Sequence, residues 1–564
     1  MFRPTPEPQN KRHVRSSYFV VGEGALGDTP DDGPAEPSPL SDVAALRRFR
    51  FSRLGPKAEE SQQLDRATRQ ALAEAMTDRA QAQPNTKDRT VPAGFTYLGQ
   101  FVDHDLTLDA TAAHLEDDIT VGQLLQGRSP ALDLDSLYGL GPNHPFDRRF
   151  YQDDGIRLKT GTTAPVPGDD RTNRALAGFD LPRVGVGSLI SERRRALIPD
   201  PRNDENLAVA QIHCAFIRFH NRFAAELAGK GVSSAVLFES AREAVVKHYQ
   251  WVVRHDFLPR IVDRAIVDEV FTKGRRIFEP EPDRQNLPTM PIEFSVAAYR
   301  LGHSMVRGAY NWNRVFDNGG GTLVRLFVFT GTSGNFSPRP EDLGNPEAGT
   351  LESLPTNWIA DFRRLFDFGA AGRADLAVDD AQFNVAKRID TLLVNPLADL
   401  PLGTFGGRGQ PAPPAVELNL AFRNLTRANM MSLASGQQLV EHLRKRRVNV
   451  KELPASAFDN RPGGAQLGDD LRRKLVRSCP LWFYILREAE LNPGERLTGL
   501  GGRIVAEVFH RAMEGSRYSI VRDPFWRPFL SPVEDRRKAG TFEMTDLLLY
   551  TFEQNAELLN PVGV

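Results

Sequence analysis

Cysteine is almost missing from this chain of 564 residues: only Cys214 and Cys479 occur. Two thiols cannot build a disulfide framework, and no Cys-x-x-Cys spacing offers a metal site. The pair reads as two buried thiols, so the fold does not depend on an oxidising compartment. Net charge is also lacking, since 71 basic residues face 72 acidic ones. That balance excludes the long-range field of a nucleic-acid binder. No apolar run approaches the roughly 18 residues of a membrane span. The first residues, MFRPTPEPQNKRHVRSS, contain no apolar core of a secretory signal. The expectation is a soluble protein with no membrane span and no signal peptide. Cytoplasmic residence and export by a route without such a signal both stay open.

Strand signals are scarce too. LVRLFVF at 323–329 is the best of them. Helical periodicity, in contrast, recurs at 204–229, 234–272, 293–307, 417–447, 468–488 and 502–515. Residues 58–82 hold good helix formers and suggest an exposed helix. Pro/Gly loops punctuate the chain at 160–170, 317–321 and 403–414. The expected fold is mainly α, a single large helical domain with little β structure at 58–564. A Pro/Gly-rich arm at 1–57 precedes it.

Four segments carry chemistry. Residues 94–109 read GFTYLGQFVDHDLTLD. On a helix, Gln100, Asp103 and His104 share a face, and Asp105 lies about 100° further round. An amide, a carboxylate and an imidazole suit acid–base work; a polar helix end with a surface histidine explains the same letters. Residues 129–139, SPALDLDSLYG, alternate oxygen donors, Asp133 and Asp135 after Ser129. Such spacing suits a hard cation, or simply a solvated loop. In 199–223, Asp200-Pro201 starts a helix, and Arg202 and Glu205 stand three apart, as a surface ion pair also would. Ile212, Phe216, Phe219 and Phe223 form its apolar stripe. In 293–307, EFSVAAYRLGHSMVR, Arg300 and Tyr299 precede His303 by three and four residues. One satisfied histidine on a partly buried helix is the plainer reading there.

In this order the segments resemble the animal haem peroxidase (peroxidase–cyclooxygenase) superfamily, and the chain is identified as a bacterial-type member. The resemblance spans roughly residues 91–440. It implies a haem b cofactor, with His303 as axial ligand to the haem iron and His104 as the distal base. Gln100 would line the peroxide cavity, and Arg202 would stabilise the charge that grows as the O–O bond splits. Asp103 and Glu205 would be ester links to haem. Arg300 would meet a propionate, while within ELNLAFRNLTR Asn424 would hold His303 and Arg427 a second propionate. The family's calcium site maps onto Asp105, Ser129, the Ala131 carbonyl, Asp133 and Asp135. Asp135 stands where a serine is usual. Asn206 replaces the methionine of members with a sulfonium link, so that link cannot form here. His220, within His220-Asn221-Arg222, reads as structural.

The implied activity is a peroxidase. Hydrogen peroxide would be reduced through a ferryl species and a phenol, aromatic amine, halide or pseudohalide oxidised, with extracellular residence added by analogy. A fatty-acid oxygenase is the alternative. Against it, the radical tyrosine of such enzymes precedes the proximal histidine by three residues. Arg300 holds that position, and Tyr299 takes a different bearing on an ideal helix. A haem-binding or adhesion scaffold without catalysis is the third reading.

Overall fold

Helix makes up 47% of the structure and strand 7%, the mainly α architecture that the periodicities predict. The computed structural model describes residues 49–78, 91–111, 115, 117, 119–282, 287–332, 334–337, 339, 342, 345–400 and 414–564. Most of the expected arm and of the loop at 403–414 lies outside them.

The helices that matter for the site begin where side chains satisfy their first backbone N–H groups. Helix α1, Arg66–Ala75, starts at Asp65, whose carboxylate accepts from Thr68 N. It is less exposed than expected, since Thr68, Arg69, Leu72 and Ala73 are buried. Helix α2 is Gly94–Leu106. It starts against another segment: Gly94 N donates to Leu365 O at 2.9 Å. A Cβ at Gly94 would lie 2.4 Å from the Phe366 ring, so only glycine permits this approach. Helix α3, Leu207–Gly229, is capped by Asn206, which accepts from Ala208 N at 2.9 Å. Helix α4, Ser234–Val252, is capped by Ser233 and runs on into a widened turn at Val253–Phe257. Helix α5, Leu420–Met430, starts at Asn419, which accepts from Ala421 N and Phe422 N. Helix α6 is Leu481–Leu491 and α7 is Gly499–Gly515.

Helices α2, α3 and α4 form the centre. Phe101 of α2 stacks on Phe216 of α3 at 4.8 Å, and Tyr249 of α4 meets Phe216 edge-on at 5.7 Å. His220 is structural as expected, between Tyr138 OH at 3.0 Å and Ile156 O at 2.9 Å. Asn221 clamps the backbone of Leu158 with both ends of its amide. Both cysteines are buried and unbridged.

The segment 293–305 is not one regular helix. A wide turn, Glu293–Ala297, is followed by a tight turn, Ala298–Leu301, and then by Gly302–Met305. Such interruptions often mark functional sites. Glu293 also ties this segment to the chain's N-terminal side, accepting from Leu54 N at 2.9 Å and Gly55 N at 2.8 Å. Phe51–Ser52 pairs in parallel with Met290–Pro291 beside it.

The expected strand at 323–329 is instead a short helix, Leu323–Val328. Thr322 caps it by accepting from Arg325 N, and Leu323 and Leu326 turn inward one helical turn apart. The alternating β-branched and aromatic letters were outweighed by that cap and by burial of a single face. Strands among the described residues form four two-stranded ladders. No described helix is long and apolar enough to cross a membrane.

Candidate active site

One cavity of about 710 Å³, counting the space at its mouth, lies between α2 and the segment 293–305. Gln100 and Asp103 line it from α2, Arg300, Gly302 and His303 from the second segment, and Asn206 from the start of α3. Phe257, Leu323, Phe327 and Leu420 supply apolar wall. Two histidine segments nearly 200 positions apart thus share one space.

His303 is buried, and the Asn424 amide of α5 lies 2.9 Å from its Nδ1. The structure brings the two residues together with the amide nitrogen, Nδ2, toward the ring, whereas the sequence reading has Asn424 accept from His303. An amide turned with its oxygen to the ring accepts from Nδ1–H and directs coordination to Nε2. Trp482 of α6 packs edge-on to the His303 ring at 6.4 Å.

His104 departs from expectation. It is fully buried and is not among the residues lining the cavity, although Gln100 and Asp103 of the same face are. Its Nδ1 lies 2.8 Å from Asn203 Oδ1, while Asn203 Nδ2 donates to His213 Nδ1 at 2.8 Å. Because Asn203 Oδ1 can only accept, Nδ1 carries the proton and Nε2 carries the lone pair. That Nε2 has no hydrogen-bond partner. Burial, reinforced by the Arg202 charge, pushes the imidazole down to about 3. His104 is therefore neutral at physiological pH, with a base nitrogen buried and unused. Gln100 Nε2 is likewise buried without a partner.

Arg202 reaches Asp200, two residues before it. Its Nε and Nη2 grip Asp200 at 3.0 and 2.7 Å, and Nη2 also donates to His104 O at 2.9 Å. Arg128 reaches the same carboxylate at 2.7 Å. Burial alone would raise the Asp200 carboxyl, but Arg128 and Arg202 outweigh it and hold it well below the usual range. Two buried guanidinium groups thus flank Asp200 beside the backbone of His104, and Arg128 also stands 3.8 Å from Asp135. Glu205 is buried but outside the cavity lining. Burial raises the Asp103 carboxyl, with Arg300 and Arg202 opposing.

Arg300 donates from Nε to Ser295 O at 2.8 Å. It also lines a smaller cleft together with Arg427 and Asp109. Arg427 there is ion-paired with Asp109. The two arginines expected to serve one edge of a cofactor do converge on one place.

Asp105 turns away from the cavity, as its bearing on α2 predicts. Ligand atoms of Asp105, Asp133 and Asp135 all lie within 4.8 Å of one another. Asp105 accepts from Leu134 N at 3.1 Å, Ser136 N at 3.2 Å and Ser136 Oγ at 3.0 Å. Leu134 adopts φ 60°, a left-handed conformation that a non-glycine residue adopts only under constraint. Ser129 donates from Oγ to Asp133 at 3.3 Å and from N to Asp135 at 2.9 Å. The Ala131 carbonyl accepts from Asp133 N at 3.0 Å. Asp133 Oδ1 and Asp135 Oδ1 are buried without partners. Burial, then the charge of Asp133, lifts Asp105 to about 7, and burial lifts Asp133 to about 6. Arg128 stands 3.8 Å from Asp135, and the Arg242 charge opposes the rise of Asp133, yet two carboxylate oxygens stay unpartnered, and a hard cation suits such a cluster.

Tyr299 corrects a second expectation. It lines the same cavity as His303 and donates to Gly99 O at 3.2 Å. The tight turn at Ala298–Leu301 breaks the 100° spacing from which the other bearing was read. Asn203, His213, Asp200 and Arg128 were not foreseen as site residues. Asp200 and Asn203 do flank Arg202 in sequence, which was the available signal.

The animal haem peroxidase family model matches residues 120–326, covering the carboxylate loop and the segments of Arg202 and His303 but starting after His104. A peroxidase-like protein of Margaritifera margaritifera is 26% identical over 269 residues, 40% of this chain and 32% of that protein. Thyroid peroxidase of Mus musculus is 26% identical over 205 residues, 33% of this chain and 20% of that protein. The chain thus spans a third or less of these relatives. Among solved structures, peroxidase A of Dictyostelium discoideum superposes with a TM-score of 0.53 at 15% identity, covering 92% of this chain and 94% of that one. A fatty acid alpha-dioxygenase of Arabidopsis thaliana gives 0.56 at 13% identity, covering 99% and 82%. Over residues 120–326 the chain is therefore similar to the animal haem peroxidase family, and its fold is similar to that of peroxidase A. Its fold alone does not separate peroxidase from dioxygenase.

Proposed function

We propose that this chain is a haem-dependent peroxidase that reduces hydrogen peroxide and oxidises a small phenol, aromatic amine or halide. The observation that carries this is the single cavity with Gln100 and Asp103 on one side and His303, backed by Asn424, on the other. Bound haem would supply a redox-active iron that accepts oxygen from peroxide. His303 would hold that iron, and Asn424 would fix the ring and tune its basicity. Arg300 and Arg427 would meet the propionates. Asp103, on the cavity wall, supports an ester link; Glu205, outside the lining, has no such support.

The protein's own part is proton transfer. His104 Nε2 takes the proton of peroxide, because the ring is neutral and its other nitrogen is committed to Asn203. Once charged, an imidazole so buried and so close to Arg202 returns the proton readily to the departing oxygen. The Arg202 guanidinium, beside the backbone of His104, would favour negative charge as the O–O bond lengthens. Asp105, Ser129, the Ala131 carbonyl, Asp133 and Asp135 would hold calcium, bracing the end of α2 one residue from His104.

The test is the absorption spectrum of haem-loaded protein, followed by one equivalent of peroxide in a stopped-flow cell. A histidine-ligated Soret band that shifts within the mixing experiment and recovers on adding a phenol or iodide supports the reading. No Soret band after reconstitution supports the non-catalytic scaffold instead. A fatty-acid oxygenase is the second reading, favoured by Tyr299 on the cavity wall. Oxygen uptake with linoleate and no added peroxide, lost in Tyr299→Phe, would establish it.

A further inference from the structure

A second cleft, of about 410 Å³, adjoins the main cavity. Two walls are shared. Met305, 3% exposed, lines both spaces. The Arg260 guanidinium, which lines the cleft, sits 4.2 Å from the centroid of the Phe95 ring, which lines the cavity. One side of the cleft is therefore apolar and lies next to the segment that carries His303.

The other side is basic. Arg260, Lys387, Arg388 and Arg496 line it, with Glu495 as the carboxylate among them. Arg260 is held by Asp256 at 2.7 Å. Lys387 and Arg388 share the single carboxylate of Asp390. Arg496 makes no side-chain hydrogen bond or ion pair with another described residue. Its backbone is nonetheless fixed. Asn492 accepts from Gly494 N at 3.2 Å and donates to Arg496 O at 3.0 Å, and Glu495 is held at φ 52°. A guanidinium left uncommitted on a constrained turn, opposite a thioether wall, suits a ligand with an anionic head and an apolar body.

We propose that this cleft binds an aromatic carboxylic acid bearing a phenol as the electron donor, its carboxylate on Arg496 and its ring against Met305. The proposal rests on the peroxidase reading. Each donor molecule gives one electron and its phenolic proton. Two donors and one hydrogen peroxide give two phenoxyl radicals and two waters, so atoms and electrons balance. The basic wall would exclude cationic donors by the same charge that holds anionic ones.

4-Hydroxyphenylacetate and tyramine test it, because they differ chiefly in the charge at one end. In the holoenzyme, KM for the acid should lie below that for the amine. Arg496→Gln should raise KM for the acid about tenfold, the loss of one charge-assisted hydrogen bond, and lower KM for tyramine. Glu495→Gln should lower KM for the acid. Binding of 4-hydroxyphenylacetate without peroxide, followed by titration calorimetry in wild type and Arg496→Gln, reads the cleft independently of turnover. Equal KM values for acid and amine, untouched by either substitution, would overturn the cleft while leaving the peroxidase standing. Loss of turnover with every donor, with acid binding still weakened by Arg496→Gln, would instead overturn the peroxidase reading and keep the site. Acid binding unchanged by Arg496→Gln overturns the site in either case.

Discussion

Asn203 decides what His104 can do. Its oxygen fixes the proton on Nδ1 and so leaves Nε2 basic, while its nitrogen is anchored by His213. Asn203→Ala should free the ring to adopt the other tautomer. The second-order rate with peroxide should fall roughly 10²-fold while haem binding persists, measured by stopped-flow absorbance and haem titration. His104→Ala removes the base outright and should cost about 10²–10⁴-fold. Asn203→Asp keeps an acceptor for Nδ1–H and should restore much of the loss; equal defects in both Asn203 variants would sink the tautomer argument. At this scale the sequence was only half legible. The residue types of the site were readable from local spacing, because Gln100, Asp103 and His104 lie on one short helix. Their partners were not, since Asn203 lies 99 positions from His104, and Asn424 lies 121 from His303. Asn424 was reached through resemblance rather than through spacing.

The carboxylate loop and α2 behave as one element. Asp105 leaves α2 to accept from Leu134 and Ser136, so the loop's metal content bears on the end of the helix that carries His104. Chelation should therefore lower the unfolding midpoint, by an amount equivalent to about 3 kcal/mol if the ion was present at a hundred times its Kd. Asp133→Asn separates two effects. It should abolish the calcium dependence, yet leave the metal-free protein more stable than metal-free wild type, because one of three mutually repelling carboxylates is gone. Thermal unfolding with and without EDTA checks both signs. Elements were legible where periodicity was regular, as in α3 and α7. They were not where local geometry departs from 3.6 residues per turn. The wide and tight turns of 293–301 brought Tyr299 onto the cavity, and a single threonine cap made a helix of 323–328.

Across the whole molecule, buried neutral histidines set the acid limit. Burial pushes His213 and His248 down to about 3 and His220 to about 4. Between those values and about 6.5 the unfolded chain binds protons that the folded chain refuses. Stability is thus fully present above about pH 6.5 and is lost as pH falls through that window. Urea midpoints at pH 7 and pH 5 should show the drop. His248→Gln should make the pH dependence shallower, because His248 sits far from the cavity, donating to Ala244 O and accepting from Phe529 N; an unchanged slope would count against it.

The two cysteines bear on durability. Cys214 and Cys479 are 3% and 0% exposed, and burial pushes the Cys214 thiol up to about 12 and that of Cys479 well above its ordinary value. Peroxide attacks thiolates, and neither residue offers one at neutral pH. On the proposed peroxidase reading, the softest nucleophiles would stay out of reach of the oxidant, and working lifetime would be set by other side chains, Met305 on the cavity wall among them.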